Sequence, residues 1–112
     1  MPRRISWIKG ALKDFQAFPE AVQEQMTTAL RLAAHGEKGD RAKPMQGLGS
    51  GVFEIALPYR GNAYRAVYAV QIGEDVWVVH TFQKKSTQGI KTPKPEIDLI
   101  RERLKRLREM LL

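Results

Sequence analysis

The sequence predicts an α+β fold in the order β-α-α-β-β-β-α: an antiparallel sheet with two N-terminal helices packed on it and a C-terminal helix. Three observations predict it. Apolar residues recur at helical spacing on both sides of Pro19. Three runs rich in valine and aromatic residues follow Gly51, separated by short turn sequences. A last amphipathic stretch begins after Pro95. Consecutive strands joined by short turns pair antiparallel, and strands grouped between helices make an α+β domain.

Arg3 to Ile8 alternates weakly and reads as a short first strand. Ile8, Leu12 and Phe15 then fall at helical spacing, in a helix that ends before Pro19. Pro19 suits the first position of a second helix, where a missing N–H costs nothing. Val22, Met26, Ala29, Leu30 and Ala33 form its apolar stripe, and Gly36 stands where a C-cap glycine belongs. Residues 36–51, with Gly36, Gly39, Pro44, Gly47, Gly49 and Gly51, read as a loop. Val52 to Leu57 is the first strand of a meander, and Pro58 to Asn62 turns the chain. Ala63 to Ile72 is the second strand, Gly73-Glu74-Asp75 the next turn, and Val76 to Gln83 the third strand. Ser86 to Lys91 reads as a loop. Thr92 is the expected N-cap of a helix opened by Pro93 or Pro95, and Ile97, Ile100, Leu104, Leu107 and Leu111 mark its buried face.

The 112 residues are enough for one domain spanning 1–112, and 43% hydrophobic residues supply a core. A net charge of +7, from 19 Lys plus Arg against 12 Asp plus Glu, favours a polyanionic partner, either nucleic acid or an acidic protein. The absence of cysteine excludes disulfide scaffolds, thiolate zinc sites and cysteine nucleophiles. No apolar segment follows Met1-Pro2-Arg3-Arg4 as in a signal peptide, and no window is apolar enough for a membrane span, so a cytoplasmic protein without membrane association is expected.

No glycine-rich phosphate loop is present; the glycines of 47–51 match neither the P-loop nor the dinucleotide spacing. His35 falls at a helix end, where it meets the dipole favourably. His80 reads either as a core histidine with one hydrogen-bond partner or as a general acid or base. Neither has an acid at metal-binding spacing, so no metal and no cofactor are expected.

Positive charge on strands remains. Arg65 lies within Tyr64-Arg65-Ala66-Val67-Tyr68, a central strand, where a charge is costly unless paired or facing a cleft. It is either the salt-bridge partner of Glu54 on the preceding strand or an anion clamp, whose planar fork meets phosphate oxygens bidentately. A tight turn between the second and third meander strands brings residue 83 near residue 65, which places Lys84 and Lys85 at the same end of the sheet. Strand alternation allows at most one of the two on Arg65's face unless a bulge or the start of the loop intervenes. On the last helix, Arg101, Arg103, Lys105, Arg106 and Arg108 form a charged outer face read as solvated, with attraction to RNA as a second role.

Four segments together carry a resemblance: Gly51-Val52-Phe53-Glu54-Ile55, Gly61-Asn62-Ala63-Tyr64-Arg65-Ala66-Val67-Tyr68, His80-Thr81-Phe82-Gln83-Lys84-Lys85, and Thr92-Pro93 before an acidic helix start. In this order they resemble the HigB-like, phage-derived branch of the RelE/ParE toxin superfamily, from about residue 3 to residue 108. The resemblance implies a RelE/ParE-like fold and the toxin of a type II toxin–antitoxin pair. RelE-like members cut mRNA on the translating ribosome: the ribose 2′-hydroxyl attacks the adjacent phosphate, and fixed cations stabilise the charge that builds there. Carried over residue by residue, Arg65 is the transition-state clamp, Lys85 matches a basic residue used similarly, and Lys84 helps to bind phosphate or polarise the nucleophile. Glu54 is either the general base or the ion-pair partner of Arg65. Lys43, Tyr59, Arg60 and Lys91 are expected to contact RNA, and Tyr68 to pack in the core. Glu54 and Ala56 stand where RelE-like enzymes often carry basic residues, and Gly89-Ile90-Lys91 occupies the region where some carry a tyrosine. The implied partners are a helix-turn-helix, HigA-like antitoxin and mRNA on the ribosome. The alternatives are a non-enzymatic, ParE-like binder of DNA gyrase and a degenerate toxin that only binds its antitoxin.

Overall fold

In the computed structural model the chain forms β1 (Ile5–Trp7), α1 (Lys9–Gln16), α2 (Glu20–Ala34), β2 (Ala42–Pro44), β3 (Val52–Tyr59), β4 (Asn62–Ala69), β5 (Val76–Lys85) and α3 (Lys94–Leu111). The structure describes residues 2–85 and 91–111, with Lys85 described through its backbone. All but the last residue of the expected loop at 86–91 lies outside them. One five-stranded sheet runs in the order β1-β5-β4-β3-β2. The α+β class holds, with two corrections to the expected sheet. It is mixed rather than antiparallel, because β1 pairs parallel with β5, Ile5 beside Val76 and Trp7 beside Val78. It also has an extra strand inside the segment expected to be loop: Ala42, Lys43 and Pro44 pair antiparallel with Ile55, Glu54 and Phe53. Three residues flanked by glycines carry no periodicity, and this strand exists through the edge that β3 offers it.

The two faces of the sheet are buried by different helices. On one, Ala11, Phe15, Val22, Met26 and Leu30 of α1 and α2 pack against Ile55, Leu57, Tyr64, Ala66, Tyr68 and Val78. On the other, Ile100, Leu104 and Leu107 of α3 pack against Val52, Val67, Ala69 and Val79. Covered on both sides, β4 is buried from Tyr64 to Ala69, which explains its nearly continuous run of apolar residues.

Local chemistry sets the ends. Helix α2 closes with Gly36 at φ +82°, its N–H on the Ala33 carbonyl and the next N–H, of Glu37, on the Leu32 carbonyl. This paired arrangement satisfies the last carbonyls of the helix. The β3–β4 hairpin turns on Arg60 and Gly61 alone, at φ 49° and 81°, the two-residue turn whose twist matches the strands. The turn expected over Pro58–Asn62 is therefore tighter, and β3 continues through Pro58. That proline lies past the end of β2, so its missing N–H faces no partner strand. Helix α3 begins at Lys94, where Glu96 and Ile97 donate to the Pro93 carbonyl. Among the described residues, no helix is long and apolar enough to cross a membrane.

One irregularity positions the site. The β4–β5 register pairs Tyr68 with Val78 but Val67 with His80, so β5 carries a bulge with Val79 as the extra residue. Val78 faces the α1–α2 core. Strict alternation would send His80, Phe82 and Lys84 the same way. The bulge reverses them: Thr81 turns inward, donating its hydroxyl to the Ala11 carbonyl at 2.8 Å, and the even-numbered residues face α3. The residue opposite Arg65 is consequently Phe82, one short of the expected position 83.

Candidate active site

The observed register lays four charged residues diagonally across one face of the sheet. Lys43 of β2 stands directly opposite Glu54 of β3. Glu54 is opposite Val67, so Arg65 is its diagonal neighbour on β4. Arg65 is opposite Phe82, so Lys84 is the next diagonal step on β5. Directly opposite and diagonal positions on one face lie within reach of long side chains. Ala56, opposite Arg65, leaves the middle of this row shallow. The result is a groove of about 500 Å³ lined by Asp40, Arg41, Lys43, Glu54, Ala56 and Arg65.

Arg65 is 8% exposed. Its Nη1 donates to Glu54 Oε1 at 2.7 Å, the cross-strand pair that the sequence offered as one of two readings. Its Nε is buried and, among the described residues, has no hydrogen-bond partner. Glu54 Oε2 accepts the Thr92 hydroxyl at 2.8 Å. Thr92 was expected to cap α3, but the helix begins at Lys94, so Pro93 holds the cap position and Thr92 stands one residue outside it, its hydroxyl turned to the site. Lys84 is 4% exposed and its ammonium donates to the Lys91 carbonyl. Burial and the Arg65 guanidinium together hold the Lys84 amine below the ordinary lysine range, and the Glu54 carboxylate opposes them.

The structure thus brings Arg65, Lys84, Glu54 and Lys43 together, with Lys91 beside them through its carbonyl. Lys85 pairs with Asn62 at the strand end and is described through its backbone alone. Tyr59 and Arg60 stand apart. The Tyr59 ring packs edge-on to Tyr64, 6.4 Å between centroids, on the α1–α2 face, and the Arg60 guanidinium lies 5.2 Å over it at the hairpin tip. Tyr68 packs in the core, stacked on Phe53, and burial pushes its hydroxyl up to about 12.

His80 sits beneath the start of α3 with two partners rather than one. Its Nδ1 accepts from Arg103 Nη1 at 3.0 Å, since arginine can only donate. Its Nε2 therefore carries the hydrogen and donates to Glu96 Oε1 at 2.7 Å. Both ring nitrogens are engaged, which leaves none open for proton transfer to a substrate. Arg103 also donates to the Val79 carbonyl and Arg108 to the Leu48 carbonyl. Two arginines read from sequence as part of a solvated face thus fold back onto the sheet side. Among the described residues, no three His, Cys, Asp or Glu side chains converge as a metal site requires.

Arg41, Asp40 and Thr92 are the site residues that the sequence did not single out. The pairing of Lys43 with Glu54 was signalled only by β2, which has no pattern of its own. A threonine before a proline carries the same signal whether it caps a helix or reaches a distant carboxylate.

The family described as "Phage derived protein Gp49-like" matches residues 13–105. Among solved structures, the fold is similar to that of a doubly substituted mutant of the E. coli toxin RelE in the free state, with a TM-score of 0.64 and 21% identity over 95% of this chain and 98% of that one. It is similar also to the isolated E. coli RelE toxin, with a TM-score of 0.58 and 20% identity over 89% and 97% of the two chains. No curated protein matches it in sequence. The chain belongs to the phage-derived, Gp49-like family and carries the fold of the RelE-type toxins.

Proposed function

We propose that the protein is the toxin of a type II toxin–antitoxin pair and that it cuts mRNA on the ribosome without a metal. The observation that carries this reading is the charged row on one face of the sheet: Lys43, Glu54 and Arg65 line an open groove, and the buried Lys84 is the next diagonal step beyond Arg65. Glu54 occupies Nη1, so Nη2 is the guanidinium nitrogen left to meet a phosphate oxygen in the groove that Arg65 lines. Arg41 and Lys43, exposed along the groove, hold flanking phosphates, in binding that weakens as salt rises.

In this reading the 2′-hydroxyl upstream of the scissile bond attacks the adjacent phosphorus. Its proton passes to solvent, and the Lys84 ammonium, on the same face as Arg65, adds positive charge beside the reacting phosphate. Arg65 neutralises the charge on the equatorial oxygens of the phosphorane. The bond from phosphorus to the 5′-oxygen breaks, and that oxygen leaves protonated by solvent. The products are a 2′,3′-cyclic phosphate and a 5′-hydroxyl. Glu54, with one oxygen on Arg65 and the other on Thr92, acts as the counter-charge that holds the clamp rather than as the base. A helix-turn-helix, HigA-like antitoxin is the partner that would neutralise the protein in the cytoplasm.

The test uses purified protein, ribosomes and a short mRNA. The expected result is a cut whose upstream fragment ends in a 2′,3′-cyclic phosphate, abolished by one 2′-O-methyl group at the cleaved nucleotide. A cut that persists on the methylated RNA refutes the mechanism. Intact RNA alongside loss of gyrase supercoiling would identify a ParE-like toxin instead.

A further inference from the structure

We infer that Arg60, held over the Tyr59 ring at the tip of the β3–β4 hairpin, is a phosphate contact for RNA beyond the groove, on the strand that leaves Arg65 towards that tip. The inference rests on the proposed seating of RNA in the groove. Its first support is the backbone. Arg60 has φ 49°, and among the described residues it is the one residue other than glycine with a positive φ. It occupies the first position of a two-residue turn, where asparagine, aspartate or glycine fits at little cost and arginine is strained. The fold asks for no arginine there: the side chain is exposed and, among the described residues, makes no ion pair. Backbone strain without a structural return is a mark of function.

The second support is preorganisation. The guanidinium carbon lies 5.2 Å from the centre of the Tyr59 ring, within reach of a cation–π attraction. That ring is itself fixed: it packs edge-on to Tyr64, which is 6% exposed and packs edge-on to Phe18 at 4.9 Å. A guanidinium resting on an aromatic face keeps its N–H donors in its own plane, free to meet two phosphate oxygens. Because the side chain is already held, less rotamer freedom is lost on binding. The third support is the path. Arg65 and Asn62 are three residues apart on β4, about 10 Å. On the groove's face that interval holds the opposed pair Pro58 and Ala63, neither with a long side chain, and Lys84 stands opposite Ala63. A shallow lip with a cation beside it therefore joins the groove to the tip. The turn is only two residues wide, so a guanidinium rooted there meets a strand that crosses the lip.

The experiment measures binding of 2′-O-methyl RNA oligomers, which the proposed chemistry cannot cut, by fluorescence anisotropy across a range of salt. With an oligomer of about twelve nucleotides, Arg60→Gln should weaken binding and make the slope of log affinity against log salt shallower by about 0.7, the loss of one phosphate contact on a single strand. With one of about four nucleotides, which fills the groove alone, Arg60→Gln should match the wild type. Arg41→Gln, at the groove, should weaken both. Tyr59→Phe keeps the ring and should behave as the wild type; Tyr59→Leu should weaken the longer oligomer, and should add nothing in an Arg60→Gln background. Urea melts supply the second readout. Arg60→Asn relieves the turn, so its midpoint should rise, by about 0.3–0.5 M, while its RNA binding falls. An unchanged salt slope in Arg60→Gln overturns the inference, and a loss in Arg41→Gln alongside it leaves the groove reading standing. A lowered midpoint in Arg60→Asn assigns Arg60 to the fold and overturns the inference as well. Binding of a polyglutamate peptide that depends on Arg60, with RNA binding that does not, would assign the tip to an acidic protein instead. If neither Arg41→Gln nor Arg60→Gln alters RNA binding, the groove reading and this inference fall together.

Discussion

Replacing Glu54 with glutamine keeps the side chain's shape and removes its charge from the pair with Arg65. The two side chains are 10% and 13% exposed and meet at 2.7 Å, so solvent and salt screen them little. A hydrogen bond to a charged group is worth about 1.5–3 kcal/mol and a neutral one about 0.5–1.5. The difference, about 1–2 kcal/mol, is the expected loss of stability in Glu54→Gln. With an m-value of about 1–3 kcal/mol/M for a small protein, the urea midpoint should fall by roughly 0.5–1 M. Full truncation in Glu54→Ala abandons the guanidinium in a buried setting and should approach the roughly 3–5 kcal/mol seen when one partner of a buried pair is removed. A cycle with Arg65→Met isolates the pair, and the coupling should be about 1–2 kcal/mol. The Arg106–Glu102 pair is the internal control. It has a similar geometry, 3.0 Å, but its side chains are 79% and 51% exposed, so Glu102→Gln should change stability by about 0.5 kcal/mol or less. If Glu54→Gln matches that control, or the coupling is near zero, then Glu54 does not hold Arg65 and the account of the clamp is wrong.

Three further outcomes follow from the same structure. The amine of Lys84 is held below its ordinary value of 10.5, so the unfolded chain binds more protons than the folded one between the lowered value and 10.5. Stability therefore rises with pH across that window; urea melts of the wild type and Lys84→Met should show the wild type gaining on the variant as pH rises towards 10.5. Readings below pH 10 avoid Tyr68, whose raised value of about 12 makes it lose stabilisation between 10 and 12. Gly36→Ala, at φ +82° with open space around the new methyl group, should cost about 1–2 kcal/mol from backbone strain alone, and no measurable loss would contradict the conformation at the end of α2. Leu104→Ala, fully buried between α3 and the sheet, should cost about 2–5 kcal/mol, read as a lowered urea midpoint.

The helices and the three-stranded meander were legible because each carries its own pattern. The stripe of α2, the continuous apolar run of β4 and the spacing from Ile97 to Leu107 all follow from which face is buried. What was not legible depends on partners distant in sequence. Strand β2 has three residues and no alternation. The parallel seat of β1 beside β5 is set by where the meander ends. Most consequential is the bulge at Val79, a residue that reads like its neighbours in Val76-Trp77-Val78-Val79. Without it, alternation from Val78 would turn Lys84 away from Arg65; with it, Lys84 joins Arg65's face. Arg65 and Glu54 were found because a charge in a central strand demands a partner. Thr92 was missed because its hydroxyl hydrogen goes to a carboxylate 38 positions away, a contact that no local pattern announces.

The central claim, that Arg65 clamps a phosphate while RNA is cut, is tested most directly by mapping transcript 5′ ends by primer extension after brief induction of the wild type and of Arg65→Gln. The account predicts new 5′ ends at defined codon positions of translated messages with the wild type and none with an Arg65→Gln protein that accumulates to the same level. Growth arrest by the wild type with transcripts intact, or the same ends produced by Arg65→Gln, would contradict it.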